Sequence, residues 1–130
     1  NISQRQINFD KQTEFFNRYN KFFETPIENK HASTAWLAYP ILIKEEAPFG
    51  RKDFQIYLEE RNIQTRVVFT GNILKQPMLK GTNFKITDSG YEQADNVMKN
   101  GVLLPVHHGL TDDMFARFQD TVSEFIKEFT

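Results

Sequence analysis

The sequence contains no cysteine, and this absence excludes several kinds of site at once. Without cysteine there is no disulfide framework, no thiolate nucleophile and no cysteine-ligated metal or iron–sulfur cluster. The formal net charge is only −1 and lysine and arginine form no basic stripe, which argues against a nucleic-acid partner. No apolar run approaches the roughly 20 residues that span a bilayer, so no membrane span is predicted. The lack of cysteine fits a reducing compartment, and we expect a cytoplasmic protein.

Several common chemical motifs are absent as well. The chain has no Gly-x-Gly-x-x-Gly or Walker-type loop for phosphates and no Gly-x-Ser-x-Gly nucleophile elbow. It has three histidines, His31, His107 and His108. Because neighbouring residues of an extended chain point to opposite sides, His107 and His108 would not share one metal. The sequence therefore predicts no zinc site.

The length of 130 residues predicts a single domain, residues 1–130, large enough to bury a core. The chain does not begin with methionine, so we expect it to start inside a longer protein or after removed residues. Phenylalanine is abundant, and it is placed periodically. Five aromatic residues near the start predict a long amphipathic helix that Pro26 limits. They are Phe15, Phe16, Tyr19, Phe22 and Phe23.

The middle of the chain alternates between strand and helix patterns. Residues 35–43 are apolar and of strand length, and Pro40 predicts an edge position or a bulge there. Phe54, Tyr57 and Leu58 share one face of a helix that runs into a strand beginning near Ile63. The predicted strand then breaks at residues 70–72.

The last third predicts a helix, a short strand and a final helix. Residues 87–89 offer N-caps for the first of these helices, and Gly101 would stop it. Residues 102–104 form the short strand. Thr111 would cap the final helix, along which an apolar stripe runs. The resulting order predicts an α/β (α+β) fold with helices packed on a small sheet of three or four strands.

A single charge interrupts the strand pattern near residue 66. Arg66 lies among β-branched and aromatic residues, and Gly71 and Asn72 provide a turn directly afterwards. Pro77 excludes a regular helix or a central strand in the residues that follow this turn. This arrangement is typical of a binding edge on a rigid element, but from the pattern alone an outward, solvated arginine beside an ordinary loop is the more common arrangement.

Residues 65–77, which read TRVVFTGNILKQP, resemble the C-terminal domain of nucleotide-sugar aminotransferases and dehydratases. These are vitamin B6-dependent enzymes of the type I aminotransferase fold. Aminotransferase members carry a His-Tyr pair after the Thr-Arg and a second histidine before the Gln-Pro. Here Val68-Phe69 and Leu74-Lys75 stand at those places, which is similar to the CDP-4-keto-6-deoxyglucose 3-dehydratase type. Residues 5–9, 94–98 and 101–111 also resemble the family.

The resemblance implies that this chain is the small C-terminal domain of a PLP- or PMP-dependent nucleotide-4-keto-6-deoxysugar 3-dehydratase. Such an enzyme would act in deoxysugar and lipopolysaccharide O-antigen biosynthesis. The resemblance also implies a homodimer when full length and an N-terminal large domain that holds the cofactor and the catalytic base. This chain would then bind no cofactor and contain no catalytic residue. An aminotransferase of the same family and a stand-alone binding module are the alternatives.

The substrate-binding residues implied by the resemblance are Arg66, Asn72 and His107. Arg66 and Asn72 would line one concave edge, where the planar guanidinium suits phosphate or carboxylate oxygens. The alternatives are that Arg66 pairs with Glu59 or Glu60 at the surface and that His107 only stabilises its loop. The first helix would bridge the two domains and keep part of its aromatic face exposed, or would simply face the core.

Overall fold

A four-stranded antiparallel sheet organises the chain, and the computed structural model describes all residues, 1–130. The strands are β1 (Phe23–Glu24), β2 (Tyr39–Ile43), β3 (Arg66–Val67) and β4 (Gly101–Leu104). They lie in the order β1-β2-β4-β3, so the last strand of the sequence is in the interior of the sheet. The predicted α/β (α+β) class and the small sheet are confirmed.

Four helices accompany the sheet. They are α1 (Ile2–Asn17), α2 (Arg51–Glu59), α3 (Glu92–Asn100) and α4 (Asp112–Lys127). Two short 3₁₀ turns, Ile73–Lys75 and Pro77–Leu79, follow β3. None of the helices combines the length and the apolar character that crossing a membrane would need.

The strand around Pro40 is shorter than predicted and is an interior strand. Residues 35–38 lie outside it, and β4 runs along β2 from Tyr39 to Leu42. On the other side β1 pairs only with Ile43 and Leu42. Pro40 therefore has a neighbouring strand on one side alone, which explains how a residue without an N–H group is accommodated there.

The first helix ends earlier than its aromatic pattern predicted. It stops at Asn17, and Phe22 and Phe23 lie in the following turn and in β1. Asn17 and Asn20 are weak helix formers, and the chain tightens into turns through bonds such as Tyr19 N–H to the Phe16 carbonyl. The prediction that the aromatic residues continue along one helix is therefore wrong beyond Asn17, although Phe22 and Phe23 are still buried.

The core lies between α1, α2, α4 and one face of the sheet. Its aromatic rings come from the whole chain; Phe16, for example, contacts the rings of Phe23, Tyr39 and Phe118. Phe15, Phe16, Phe22 and Phe23 are all buried. The expectation that this aromatic face stays partly exposed is therefore wrong for these four residues, because the sheet and α4 already cover them.

The exposed apolar residues of α1 are different ones, Ile2 and Ile7, which are 63% and 48% exposed.

Helix α3 contacts β2 and β4 but gives no residue to the core cluster.

Two predicted helix boundaries have a different physical basis from the one expected. Helix α3 begins after Tyr91, and Thr87 and Ser89 bond to each other instead of capping it. Gly101 is not a left-handed stop; it begins β4, and a Cβ there would lie 2.5 Å from the Val97 carbonyl oxygen. By contrast, the predicted cap of α4 is present, because the Thr111 hydroxyl accepts a hydrogen bond from Met114 N–H at 3.3 Å.

Candidate functional site

A cleft of about 800 Å³ opens beside strands β3 and β4. The first half of α4, one residue of α1 and four stretches without regular structure complete its walls; the stretches are residues 37–38, 62–64, 69 and 105–110. Most of the lining side chains are apolar, and Arg66, His107, Arg117 and Gln12 are among the polar ones. The other lining residues are Leu37, Ala38, Asn62, Ile63, Gln64, Val67, Phe69, Leu103, Leu104, Pro105, Leu110, Met114, Phe115 and Phe118.

Arg66 lies on β3, at the edge of the sheet, where its side chain is exposed and lines the cleft. It makes no ion pair, since the three ion pairs of the chain join other residues. Glu59, one of the two carboxylates expected as a surface partner, instead accepts hydrogen bonds from the N–H and hydroxyl groups of Thr65. The guanidinium therefore keeps its donors free for an external acceptor.

His107 lies in the segment between β4 and α4 and lines the same cleft. Its Nδ1 accepts a hydrogen bond from Gly109 N–H at 3.2 Å. In the neutral tautomer that accepts this bond, the proton is on Nε2, which is then a free donor. His108, its neighbour, does not line the cleft.

Asn72 is placed differently from the sequence-based expectation, because it does not line the cleft with Arg66. It is only 4% exposed. Its Nδ2 donates to Asp95 Oδ1 at 2.8 Å, and its Oδ1 accepts from Leu74 N–H at 3.0 Å. Both ends of the amide are thus used inside the chain, and a contact of Asn72 with a substrate stays a prediction.

The loop after β3 is held on α3 through this contact and through a glycine. Lys75 Nζ lies 2.7 Å from the same Asp95 oxygen, and together with Asn72 it lowers the pKa of that carboxyl group. Gly71 has a φ of +70° and sits so close to Met98 that a Cβ would lie 2.6 Å from the Met98 Cβ. The loop that starts at Phe69, a cleft residue, is therefore fixed from the side of α3.

Two cleft residues had no signal in the sequence. Arg117 comes from α4, far along the chain from Arg66, and its Nη2 donates to the Arg61 carbonyl at 2.8 Å. Phe69 is 77% exposed at the cleft, although an aromatic residue in a strand pattern is expected to be buried. Phe69 is recognised as a cleft residue only from its exposure in the structure, and Arg117 only because α4 packs beside the cleft.

Comparison with known proteins gives one family. Residues 1–123 match the DegT/DnrJ/EryC1/StrS aminotransferase family. This chain belongs to that family. The resemblance deduced from residues 65–77 is thereby confirmed.

Among the curated relatives that match, two have a named function. A dTDP-4-dehydro-2,6-dideoxy-D-glucose 3-dehydratase from Saccharopolyspora spinosa is 31% identical over 101 residues, which are 78% of this chain and 22% of that protein. The lipopolysaccharide biosynthesis protein RfbH of Salmonella typhimurium is 25% identical over 112 residues, 86% of this chain and 25% of the relative. The chain thus spans about a quarter of the length of these relatives.

A solved enzyme structure has the same fold. The E. coli GDP-4-keto-6-deoxy-D-mannose-3-dehydratase, solved with bound hydrated PLP, superposes with a TM-score of 0.80 at 22% identity. The match covers 92% of this chain and 30% of that one.

The residues of the cleft do not fit PLP held as a Schiff base, because that linkage needs a lysine amine and no lysine lines the cleft. The polar groups that do line it are two guanidinium groups, imidazole and amides, which suit an anionic or hydroxyl-rich ligand.

Proposed function

We propose that this chain is the small domain of a larger PLP- or PMP-dependent 3-dehydratase that acts on a nucleotide-4-keto-6-deoxysugar. Its pathway would be deoxysugar and lipopolysaccharide O-antigen biosynthesis. The full-length protein would be a cytoplasmic homodimer whose N-terminal large domain supplies the cofactor and the catalytic base. This domain would supply one wall of the substrate site.

The observation that carries the proposal is the unpaired guanidinium of Arg66 on an apolar cleft wall. A charged group with no partner gains most from an anionic ligand where the surrounding surface excludes water. The diphosphate of a nucleotide-sugar offers oxygens that the planar guanidinium fork can meet in pairs. His107, which lines the same cleft, would donate its Nε2 proton to a sugar or phosphate oxygen.

The form of residues 65–77 and the relatives both favour dehydration over amine transfer. Val68-Phe69 and Leu74-Lys75 replace the histidines of the aminotransferase form. The relative from Saccharopolyspora spinosa is named as a 3-dehydratase. An aminotransferase is the second candidate, because the family as a whole bears that name. A histidine at the cofactor position of the full-length protein would favour the dehydratase, and a lysine there would favour the aminotransferase.

The test is Arg66→Ala in the full-length protein, with CDP- and dTDP-4-keto-6-deoxyglucose as substrates. Losing a charge-assisted hydrogen bond costs about 1.5–3 kcal/mol, so kcat/KM should fall by roughly ten- to a hundredfold. The melting temperature should stay within about 2 °C of the wild type, because Arg66 pairs with nothing inside the chain.

Two further variants sharpen this test. Arg66→Lys keeps the charge but loses the bidentate fork, so it should recover only part of the activity. Arg18→Ala removes an exposed arginine that stacks on Phe15 away from the cleft and should leave kcat/KM unchanged. Unchanged kinetics for Arg66→Ala would refute the substrate role of the cleft.

A further inference from the structure

Three polar side chains form a row along α1, spaced so that they share one side of the helix. Arg5, Asn8 and Gln12 each donate hydrogen bonds to backbone carbonyl groups of other segments. The carbonyls belong to residues 36–37 and 105–107, two stretches that the structure leaves without helix or strand. Both stretches contribute residues to the cleft.

The two ends of this row hold different segments that contribute to the cleft. Arg5 Nη1 donates to the Trp36 carbonyl at 3.0 Å and to the Leu37 carbonyl at 3.4 Å. Gln12 Nε2 donates to the Pro105 carbonyl at 3.3 Å. Carbonyl groups without a strand or helix partner need such donors, because a buried and unpaired carbonyl is costly.

Asn8 is the centre of the row and the residue that reaches His107. Its Nδ2 donates to the His107 carbonyl at 2.8 Å and to the Val106 carbonyl at 3.3 Å. Its Oδ1 accepts from Gln4 Nε2 at 3.1 Å. Asn8 is 0% exposed, so its amide is locked in this orientation by three bonds and by packing.

The imidazole of His107 is thus oriented from two sides. Asn8 fixes the backbone carbonyl of the residue, and Gly109 N–H fixes ring atom Nδ1. A ring held in this way presents its Nε2 donor in one direction without an entropy cost at the moment of binding.

We propose that Asn8 is a positioning residue: it holds the His107 segment so that the imidazole meets the ligand of the cleft. This inference rests on the proposed function of the cleft, but it depends on His107 and not on Arg66. Asn8 touches no ligand itself.

The experiment is a double-mutant cycle in the full-length protein, in which the dissociation constant of CDP- and dTDP-4-keto-6-deoxyglucose is measured by calorimetry. Asn8→Asp keeps the oxygen that accepts from Gln4 and removes the donors to the two carbonyl groups. We expect it to weaken binding by about tenfold, the size of one lost hydrogen bond. His107→Ala should weaken binding by a similar factor, and the double variant should be no weaker than His107→Ala alone.

The cycle separates positioning from general destabilisation. If Asn8→Asp costs the same factor with and without His107, or costs nothing, Asn8 does not act through His107 and the inference is wrong. Unchanged binding by His107→Ala also overturns it, whereas the proposed function is decided separately by Arg66→Ala. Gln6→Ala is the matched control on α1, because Gln6 bonds to Asp10 and Glu28 and should leave affinity unchanged. If Asn8→Asp does not fold, Asn8→Ser, which donates one hydrogen bond at most, takes its place in the cycle.

Discussion

Replacing Gly71 by alanine tests how the loop beyond β3 is held against α3. The backbone of Gly71 has a φ of +70°, a region that L-residues rarely adopt. An added Cβ would also lie 2.6 Å from the Met98 Cβ and 2.7 Å from its Cγ. The first of these partner atoms is fixed to the helix backbone and cannot swing away, so either the loop or α3 has to shift.

The magnitude follows from these two terms. A left-handed conformation costs an L-residue about 1–2 kcal/mol, and forcing an extra methyl group into a packed contact costs about 1–3 kcal/mol. The sum is about 2–5 kcal/mol. With an unfolding entropy of about 2.1 cal/mol/K for each of the 130 residues, 1 kcal/mol corresponds to about 4 °C. Gly71→Ala should therefore lower the melting temperature by about 8–20 °C.

Gly81→Ala is the matched control. Gly81 has a φ of +78°, but nothing lies within 4 Å of the Cβ it would carry. Only the backbone term remains, so the melting temperature should fall by about 4–8 °C. Thermal denaturation followed by circular dichroism measures both. Equal losses for the two variants would show that the added methyl group meets no costly contact with Met98, and the close-approach argument would be wrong.

Two other predictions concern the carboxyl group beneath this loop and the core. Lys75, and to a smaller extent Asn72, lowers the pKa of the Asp95 carboxyl group below its ordinary value. The ionised carboxylate therefore stabilises the fold above about pH 4, and this stabilisation is lost as the pH falls through the lower folded-state pKa. Melting curves should show Asp95→Asn less stable than the wild type near pH 7 and equal to it near pH 2; a constant difference would contradict this. Phe16 is a fully buried ring, so Phe16→Ala should lower the free energy of unfolding, measured with denaturant, by about 3–5 kcal/mol. Phe69 is an exposed ring, so Phe69→Ala should change it by less than about 0.5 kcal/mol. Similar losses for the two variants would refute the assigned burial.

The parts of the fold that the sequence predicted well are those governed by local rules. Helix α4 begins after Thr111 because a threonine hydroxyl satisfies a free N–H group of the first turn, and that rule needs no tertiary information. Strand β1 was missed because it is two residues long and exists only through pairing with β2. Gly101 illustrates a mixed outcome: the element boundary is correct, but its cause is the close approach of Val97 and Val68.

The candidate site divides in the same way. Arg66 and His107 were both expected at a substrate edge, and the structure brings them to one cleft although they are far apart in the chain. Asn72 was assigned to that edge because Gly71 was expected to fold it back toward Arg66. Its amide instead meets Asp95 on α3, and no local rule indicates which helix will lie beneath a loop. Arg117 was invisible for the same reason, since only the packing of α4 brings it to the cleft.

Half of the residues that line the cleft lie in segments outside the helices and strands, and this explains why buried polar side chains surround it. In the segment that carries His107, backbone carbonyl groups accept hydrogen bonds from the side chains of Asn8 and Gln12 of α1. The loop that begins at Phe69 depends on the Asn72 and Asp95 contact with α3. These two supports share no residue and come from different helices, so changes in them should act independently. The His107 side of the cleft is thus held by α1, and the Phe69 side is held by α3. A ligand that contacts both sides would therefore bind between two walls that are each fixed before it arrives.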